Sequence, residues 1–186
     1  MKLLSIVLSF RNEEGNIKEL IERINKSLNI LKDWSYEIIF VNDDSTDNSE
    51  KILLDLQKDN PIKIINMSRN FGVDPCVIAG FRHAKGDAVV YLHTDLQDPP
   101  ELIPKLVKKF EEGNDVVHTV RTKRHGESKF RMFITKIAYH IIHYLSDLNL
   151  PIQAGDYKLI SRKALAIRGR LIIVNKLLGV NPKVSS

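Results

Sequence analysis

Strand-length apolar runs alternate with helical patterns along most of this chain, and that alternation limits the fold more than any other feature. Leu3–Ser9 is an apolar run, as expected of a strand buried on both faces. Glu13 to Leu31 carries Ile17, Leu20, Ile21, Ile24, Leu28 and Leu31 at helical spacing. Glu37–Asn42 is a second strand. Asp44-Ser45-Thr46-Asp47 then offers N-cap residues for a helix to about Lys58, stopped by Pro61. Ile62–Met67 is a third strand, Gly72 to Ala84 a helix closed by Gly86, and Asp87–Leu92 a fourth strand. Pro99-Pro100-Glu101 opens another helix, proline being favoured in the first turn, and Gly113 ends it before a fifth strand at Asp115–Val120. This order predicts an α/β fold: a mainly parallel sheet with helices on both faces.

The pattern changes after Arg121. Lys123–Ser128 is a polar, basic loop. Phe130, Phe133, Ile134, Ile137, Ile141, Tyr144, Leu145 and Leu148 then fall at helical spacing, and a short strand is predicted at Tyr157–Ile160. The full length of 186 residues fits one domain, two at most. The formal net charge of +5 lies entirely between Arg121 and Lys136, where six basic residues face Glu127 alone. A local basic patch implies a local anionic partner, not general nucleic-acid binding. Cys76 is the single cysteine, so no intrachain disulfide forms and a reducing compartment fits. No apolar run approaches the ~20 residues of a membrane span. The N-terminal apolar run meets Arg11-Asn12-Glu13-Glu14 without a small-residue cleavage site and reads as a buried strand, not a signal peptide.

In open parallel sheets, ligands bind beyond the carboxyl ends of the strands. Ser9, Phe10, Arg11, Asn12, Glu13 and Glu14 follow the first strand. Asn42, Asp43, Asp44, Ser45 and Asp47 follow the second; His93, Thr94, Asp95, Leu96, Gln97 and Asp98 follow the fourth. Arg121, Lys123 and Arg124 follow the fifth. Carboxylates gathered without neutralising bases point to a divalent cation. In His93-x-Asp95-x-Gln97, alternate residues of an extended segment would face one way and offer an imidazole, a carboxylate and an amide oxygen. Mg²⁺ prefers oxygen and Mn²⁺ accepts the His more readily, with substrate phosphates completing the shell. Blander roles compete: Asp44-Ser45-Thr46-Asp47 as a helix cap, His93 as a structural histidine, Cys76 as packing, and the Phe130–Leu148 stripe as core. Neither a Walker A sequence nor a G-x-G-x-x-G between strand and helix is present, which sets ATPases and dinucleotide dehydrogenases aside.

Val41-Asn42-Asp43-Asp44-Ser45-Thr46-Asp47 and Asp95-Leu96-Gln97-Asp98-Pro99-Pro100-Glu101 resemble family 2 glycosyltransferases. The narrower resemblance is to the polyprenyl-phosphate glycosyltransferases, relatives of dolichyl-phosphate mannose synthase. Asn12-Glu13-Glu14, Arg69-Asn70-Phe71-Gly72, Ala79-Gly80-Phe81, Gly86-Asp87, Gly126-Glu127-Ser128 and Ala154-Gly155-Asp156-Tyr157-Lys158-Leu159 add to it. The match runs from about residue 3 to 165. His93 and Asn42 stand where the family usually has aspartate, and Asp44 where it usually has glycine.

The resemblance implies a GT-A fold and inverting transfer from a nucleotide-diphospho-sugar. Ser9, Phe10 and Glu13 of the first-strand loop, with Asp43, would bind the nucleotide. Asp95 would bind the donor and, with Gln97 and His93, hold Mg²⁺ or Mn²⁺ on the diphosphate. Arg121 would lie near the donor phosphates or acceptor, and Asp156 on the acceptor side; these two and Asp95 are the catalytic candidates. A lipid-phosphate acceptor is already ionised near neutral pH and needs no strong base, whereas a hydroxyl acceptor would make Asp156 the general base. Residues 1–166 are expected to form the catalytic domain, with an amphipathic interfacial helix at about 129–147, and 167–186 a terminal helix or tail. The expected partners are the donor, a polyprenyl phosphate and the cytoplasmic face of a membrane, with a homo-oligomer left open. Transfer to a glycan or glycolipid hydroxyl, and a non-catalytic nucleotide-sugar-binding protein, are the alternatives.

Overall fold

The computed structural model describes residues 1–120 and 154–166. It divides the chain into two compact units: Met1–Val117 with Tyr157–Ser186, and His118–Asp156. Of the second unit, the described residues are the end of one strand (118–120) and the start of another (154–156).

In the first unit, β1 (Lys2–Phe10), β2 (Trp34–Asn42), β3 (Ile62–Asn66) and β4 (Ala88–Tyr91) form a parallel run. The whole sheet has the order β3-β2-β1-β4-β6-β5, with β5 at Val116–Val120 and β6 at Ala154–Ser161. The sheet is thus α/β and mostly parallel, but β5 does not simply follow β4. The predicted short strand is longer than its sequence signal, and as β6 it pairs antiparallel with β4, Val90 against Leu159. Four apolar residues in β4 need partners on both edges, and the late strand supplies the second one.

Two cores lie on the two faces of this sheet. On one, Leu4, Ile6, Leu8 and Phe10 of β1 and Ile38 and Phe40 of β2 meet α1 (Ile17–Leu28) and α4 (Ile103–Glu111). The apolar stripe of α1 (Ile17, Leu20, Ile21, Ile24, Leu28) is buried as its spacing predicts, at roughly 1.5–3 kcal/mol for each large side chain. This helix starts at Ile17, four residues later than its polar leader would allow. Glu13 stays in the loop, where its carbonyl accepts the Asn16 N–H at 2.9 Å. Leu53 of α2 (Ser49–Leu56) joins the same core.

On the opposite face, α3 (Val73–His83) covers Val7, Ile39, Val41, Val89 and Tyr91. It lies very close to the sheet because Gly80 has no side chain: a Cβ there would fall 2.3 Å from Val7 Cγ1 and 3.2 Å from Val41 Cγ2. Helices therefore pack on both faces, as predicted. No helix among the described residues is long and apolar enough to cross a membrane. The basic loop expected at 123–128, the helix expected at 129–147 and residues 167–186 lie outside the described residues.

Candidate functional site

Parallel pairing fixes which side chains share the carboxyl edge. The register sets Phe10 beside Asn42 and Val7 beside Tyr91, so the loops after β1, β2 and β4 leave the sheet together. A cavity of about 220 Å³ opens there, lined by Ser9, Phe10, Arg11, Glu13, Asp43, Val73, His93, Thr94 and Asp95. Six sequence-predicted site residues (Ser9, Phe10, Glu13, Asp43, His93, Asp95) thus meet in one place.

The first two loops hold each other. Asn12 donates its N–H to Ser45 Oγ (3.1 Å) and accepts the Thr46 N–H on Oδ1 (2.8 Å). Glu13 N–H donates to Ser49 Oγ (2.8 Å), Glu14 N–H to Asp47 Oδ2 (3.1 Å), and Asn48 N–H to Glu14 Oε2 (2.9 Å). These bonds satisfy loop backbone that no strand or helix supplies with partners. Asn12 and Asp44 reach this arrangement with φ of 56° and 60°. At Asp44 this left-handed φ is one that glycine would adopt freely.

The expected helix cap is displaced. Asn48, not a residue of 44–47, is the N-cap of α2, and its side chain makes no capping bond. Asp47 does that work from one residue further out, accepting the Ser49 N–H on Oδ1 at 3.0 Å. Burial disfavours the Asp47 carboxylate, but bonds from Ser49 and the Glu14 amide outweigh it and hold its pKa below the ordinary range.

Asp43 is buried just beyond β2. Its Oδ1 accepts the Phe71 N–H at 2.7 Å and its Oδ2 the Gly72 N–H at 2.9 Å. Gly72 takes φ of 87°, so both amides at the entry to α3 point at one carboxylate. Cys76, fully buried in α3, lies beside the same group. Its burial, with the hydrogen bond to Asp43 and that residue's charge, pushes the thiol up to about 12, which leaves it a packing residue, not a nucleophile.

The third segment departs from its predicted shape. Leu96 has φ of 60°, a costly conformation for a leucine, and packs its half-buried side chain against the larger core. The chain therefore folds back, and the Gln97 N–H donates to Asp95 Oδ1 at 3.1 Å. Strict alternation of 93, 95 and 97 on one side fails after Asp95. His93 and Asp95 line the cavity, whereas Gln97 is exposed and does not. Asp98 is buried and accepts the His93 N–H at 3.3 Å. Thr94 ties this segment to β1 by donating to the Ser9 carbonyl at 3.2 Å.

Thr94, Arg11 and Val73 join the lining without having been marked as site residues. Thr94 and Arg11 sat in the polar clusters already noted, and a register argument selects them; Val73 comes from a helix start with no polar signal. Asp156 is exposed in the second unit, within β6, and Arg121 lies outside the described residues.

The donor chemistry of the cavity fits a divalent ion held partly by a ligand. Asp95 is exposed and unpaired with any Lys or Arg among the described residues, and His93 offers an imidazole beside it. Among the described residues, no three His, Cys, Asp or Glu side chains gather to hold an ion by themselves. An ion here would take its remaining ligands from substrate phosphates and water.

Comparison with known proteins shows likeness in sequence and in fold. A family-wide sequence profile described as "Glycosyl transferase family 2" matches residues 5–168. An uncharacterized glycosyltransferase, sll0501, of Synechocystis sp. is 44% identical over 87% of this chain and 51% of its own length. A bactoprenol glucosyl transferase of Shigella phage SfV is 33% identical over 87% of this chain and 53% of its own. The chain thus spans about half the length of these curated relatives. The crystal structure of glucosyl-3-phosphoglycerate synthase from Mycobacterium tuberculosis, with Mn²⁺, uridine diphosphate and phosphoglyceric acid, superposes with a TM-score of 0.63. It covers 97% of this chain and 66% of its own at 22% identity, a likeness of fold.

Proposed function

Starting from a chain that belongs to glycosyl transferase family 2, we propose that it moves a sugar, with inversion, from a nucleotide-diphospho-sugar to a polyprenyl phosphate at a membrane surface. One observation carries this reading: Ser9, Phe10, Glu13, Asp43, His93 and Asp95 surround a single cavity at the carboxyl edge of a mostly parallel sheet. The likeness to a bactoprenol glucosyl transferase supports a lipid-phosphate acceptor.

In this mechanism Ser9, Phe10, Glu13 and Asp43 bind the nucleoside. Asp43 keeps its charge in place through two backbone amides, so reading a base requires no rearrangement of the carboxylate. Asp95 and His93 would hold Mg²⁺ or Mn²⁺, with Gln97 reaching it only through movement of its exposed side chain. When bound, the ion neutralises charge developing on the leaving diphosphate. Arg121 and Asp156 belong to the acceptor side of the proposal. The basic stretch from Arg121 to Lys136 draws in the acceptor phosphate, and the helix proposed at 129–147 rests its apolar face in the lipid boundary. A phosphate oxygen already ionised near pH 7 is the nucleophile, so no strong general base is needed.

Calorimetric titration with UDP, GDP and their sugar conjugates, with and without Mn²⁺, tests the donor half. Metal-dependent binding of one nucleotide is the expected result; no binding of either rejects the assignment and favours a non-catalytic partner-binding role. Incorporation of sugar into glycan but never into polyprenyl phosphate would replace the acceptor half by transfer to a hydroxyl.

A further inference from the structure

One fixed cation stands in the wall of the cavity. Among the described residues, Arg11 is the only Lys or Arg lining it, beside the carboxylates of Glu13, Asp43 and Asp95. Its backbone is held on both sides. The Phe10 carbonyl accepts the Asp43 N–H at 2.9 Å, and Asn12 is clamped to Ser45 and Thr46 at 3.1 and 2.8 Å. The Arg11 side chain itself is exposed and makes no ion pair or hydrogen bond among the described residues. Each neighbouring carboxylate meets another donor instead. Glu13 Oε2 accepts from Asn16 Nδ2 (2.6 Å), Asp43 takes the amides of Phe71 and Gly72, and Asp95 Oδ1 takes the Gln97 N–H.

An arginine left unpaired beside three carboxylates is available to an anion that arrives with the ligand. The carboxylates together repel a diphosphate, so its entry calls for cations. A guanidinium offers several N–H donors in a planar fork that matches phosphate oxygens. We propose that Arg11 binds the diphosphate of the donor, as a second positive charge beside the metal ion. The root of the side chain is fixed by its neighbours and its tip is unpaired, so the fork meets the phosphates without breaking a bond described in the free protein. In that position it also faces the charge that develops on the leaving diphosphate. This role for Arg11 rests on the donor-site reading above.

Arg11→Gln removes the charge at an exposed position, so the fold should be kept. A charged hydrogen bond to phosphate is lost, and affinity for UDP or GDP at saturating Mn²⁺ should fall about 10-fold in calorimetry. Affinity for the bare nucleoside, uridine or guanosine, read by competition, should change less than twofold. Arg11→Lys should recover part of the loss, because it restores the charge without the fork. No loss for the diphosphate, or an equal loss for the nucleoside, overturns the proposal; the second result would place the guanidinium on the base. Another readout needs no nucleotide: the Nε–H resonance of Arg11 during titration with inorganic pyrophosphate and Mg²⁺. A shift supports the phosphate contact, and an unmoved resonance overturns it. If the unaltered chain binds neither UDP nor GDP, the donor-site reading falls, and the pyrophosphate titration still decides whether Arg11 meets phosphate.

Discussion

Glu37 lies within β2 and Asp43 just beyond its end, and each is 7% exposed, yet their surroundings differ. Near the amino end of the strands, Glu37 Oε1 accepts from Ser5 Oγ (2.6 Å) and the Lys85 N–H (2.7 Å), and Oε2 accepts from Lys63 Nζ. Ser5 Oγ accepts the Gly86 N–H in turn (2.8 Å), and Arg162 closes the edge by donating to the Gly86 carbonyl (2.9 Å). At the carboxyl end, Asp43 accepts backbone amides and the Cys76 thiol, and no Lys or Arg pairs with it among the described residues. The first carboxylate has a cation and serves the fold. The second is held in place without being neutralised, and it faces a cavity. A buried charge kept without a counter-ion is expensive, and a site that binds a ligand's donors or cation is the place where a protein tolerates that cost.

The sharpest way to break this comparison is Asp95→Ala. Asp95 is exposed and bonds only to its neighbour Gln97 in the described structure, so thermal stability should stay within about 1 °C. Metal stabilisation of a leaving diphosphate is worth several kcal/mol. Transfer should therefore fall by at least ~100-fold, about 2.7 kcal/mol, and Mn²⁺-dependent nucleotide binding should vanish. Unchanged nucleotide affinity in calorimetry would remove Asp95 from the donor site.

Gly86→Ala probes the opposite edge. A Cβ at Gly86 would meet Ser5 N at 2.6 Å, the Ala88 oxygen at 2.7 Å and the Leu3 oxygen at 2.8 Å, all backbone atoms that cannot turn aside. Overpacking of this kind costs about 2–3 kcal/mol. Urea denaturation should show that loss, while the folded fraction keeps its affinity for nucleotide. Impaired binding with normal stability would mean that the two edges are not separate in role.

Much of this division was legible in the sequence. The strands and helices follow from apolar spacing, and the carboxyl-edge rule placed Ser9, Phe10, Glu13, Asp43, His93 and Asp95 in one cavity. Gln97 was lost because alternation assumes an extended chain, and only a tertiary contact for Leu96 makes a left-handed leucine tolerable there. The place of β6 between β4 and β5 was hidden for a similar reason: strand order is set by which edges remain unpaired, not by chain order. Gly80 and Gly86 were visible as resemblance motifs, but their physical reasons, close approach to Val7 and to the backbone of Ser5, are contacts distant in sequence.

Glu37→Gln should have a smaller effect that depends on pH. Burial disfavours the Glu37 carboxylate, but bonds from Lys63, Ser5 and the Lys85 amide prevail and hold its pKa below the ordinary 4.5. A lowered folded-state pKa contributes stability that is fully present above 4.5 and is lost as pH falls through the folded value. The amide keeps the shape and removes the charge. Lys63 is 44% exposed, so solvent screens much of its share. A loss of about 1.5–2 kcal/mol at pH 7 is expected from the charged hydrogen bonds. The gap between variant and parent should narrow as urea titrations move from pH 7 to pH 3. A gap independent of pH would show that packing, not charge, is what Glu37 contributes.

The smallest effect expected is a gain. Asp44 is exposed at φ 60° in the loop after β2, and no bond of its side chain to the Asn12–Glu14 segment is needed to hold that loop. A left-handed conformation costs an L-residue roughly 1–2 kcal/mol, less for aspartate, whereas glycine adopts it freely. Glycine also raises the entropy of the unfolded chain, which opposes part of the gain. Asp44→Gly should therefore stabilise by about 0.5 kcal/mol and leave nucleotide affinity unchanged, since Asp44 does not line the cavity. If that variant binds nucleotide more weakly, the carboxylate at 44 contributes to the ligand's field, and the uncompensated charge at this edge extends beyond Asp43, Glu13 and Asp95. If it is stabilised with binding intact, strain at Asp44 belongs to the loop alone, and the functional charge is confined to the cavity wall.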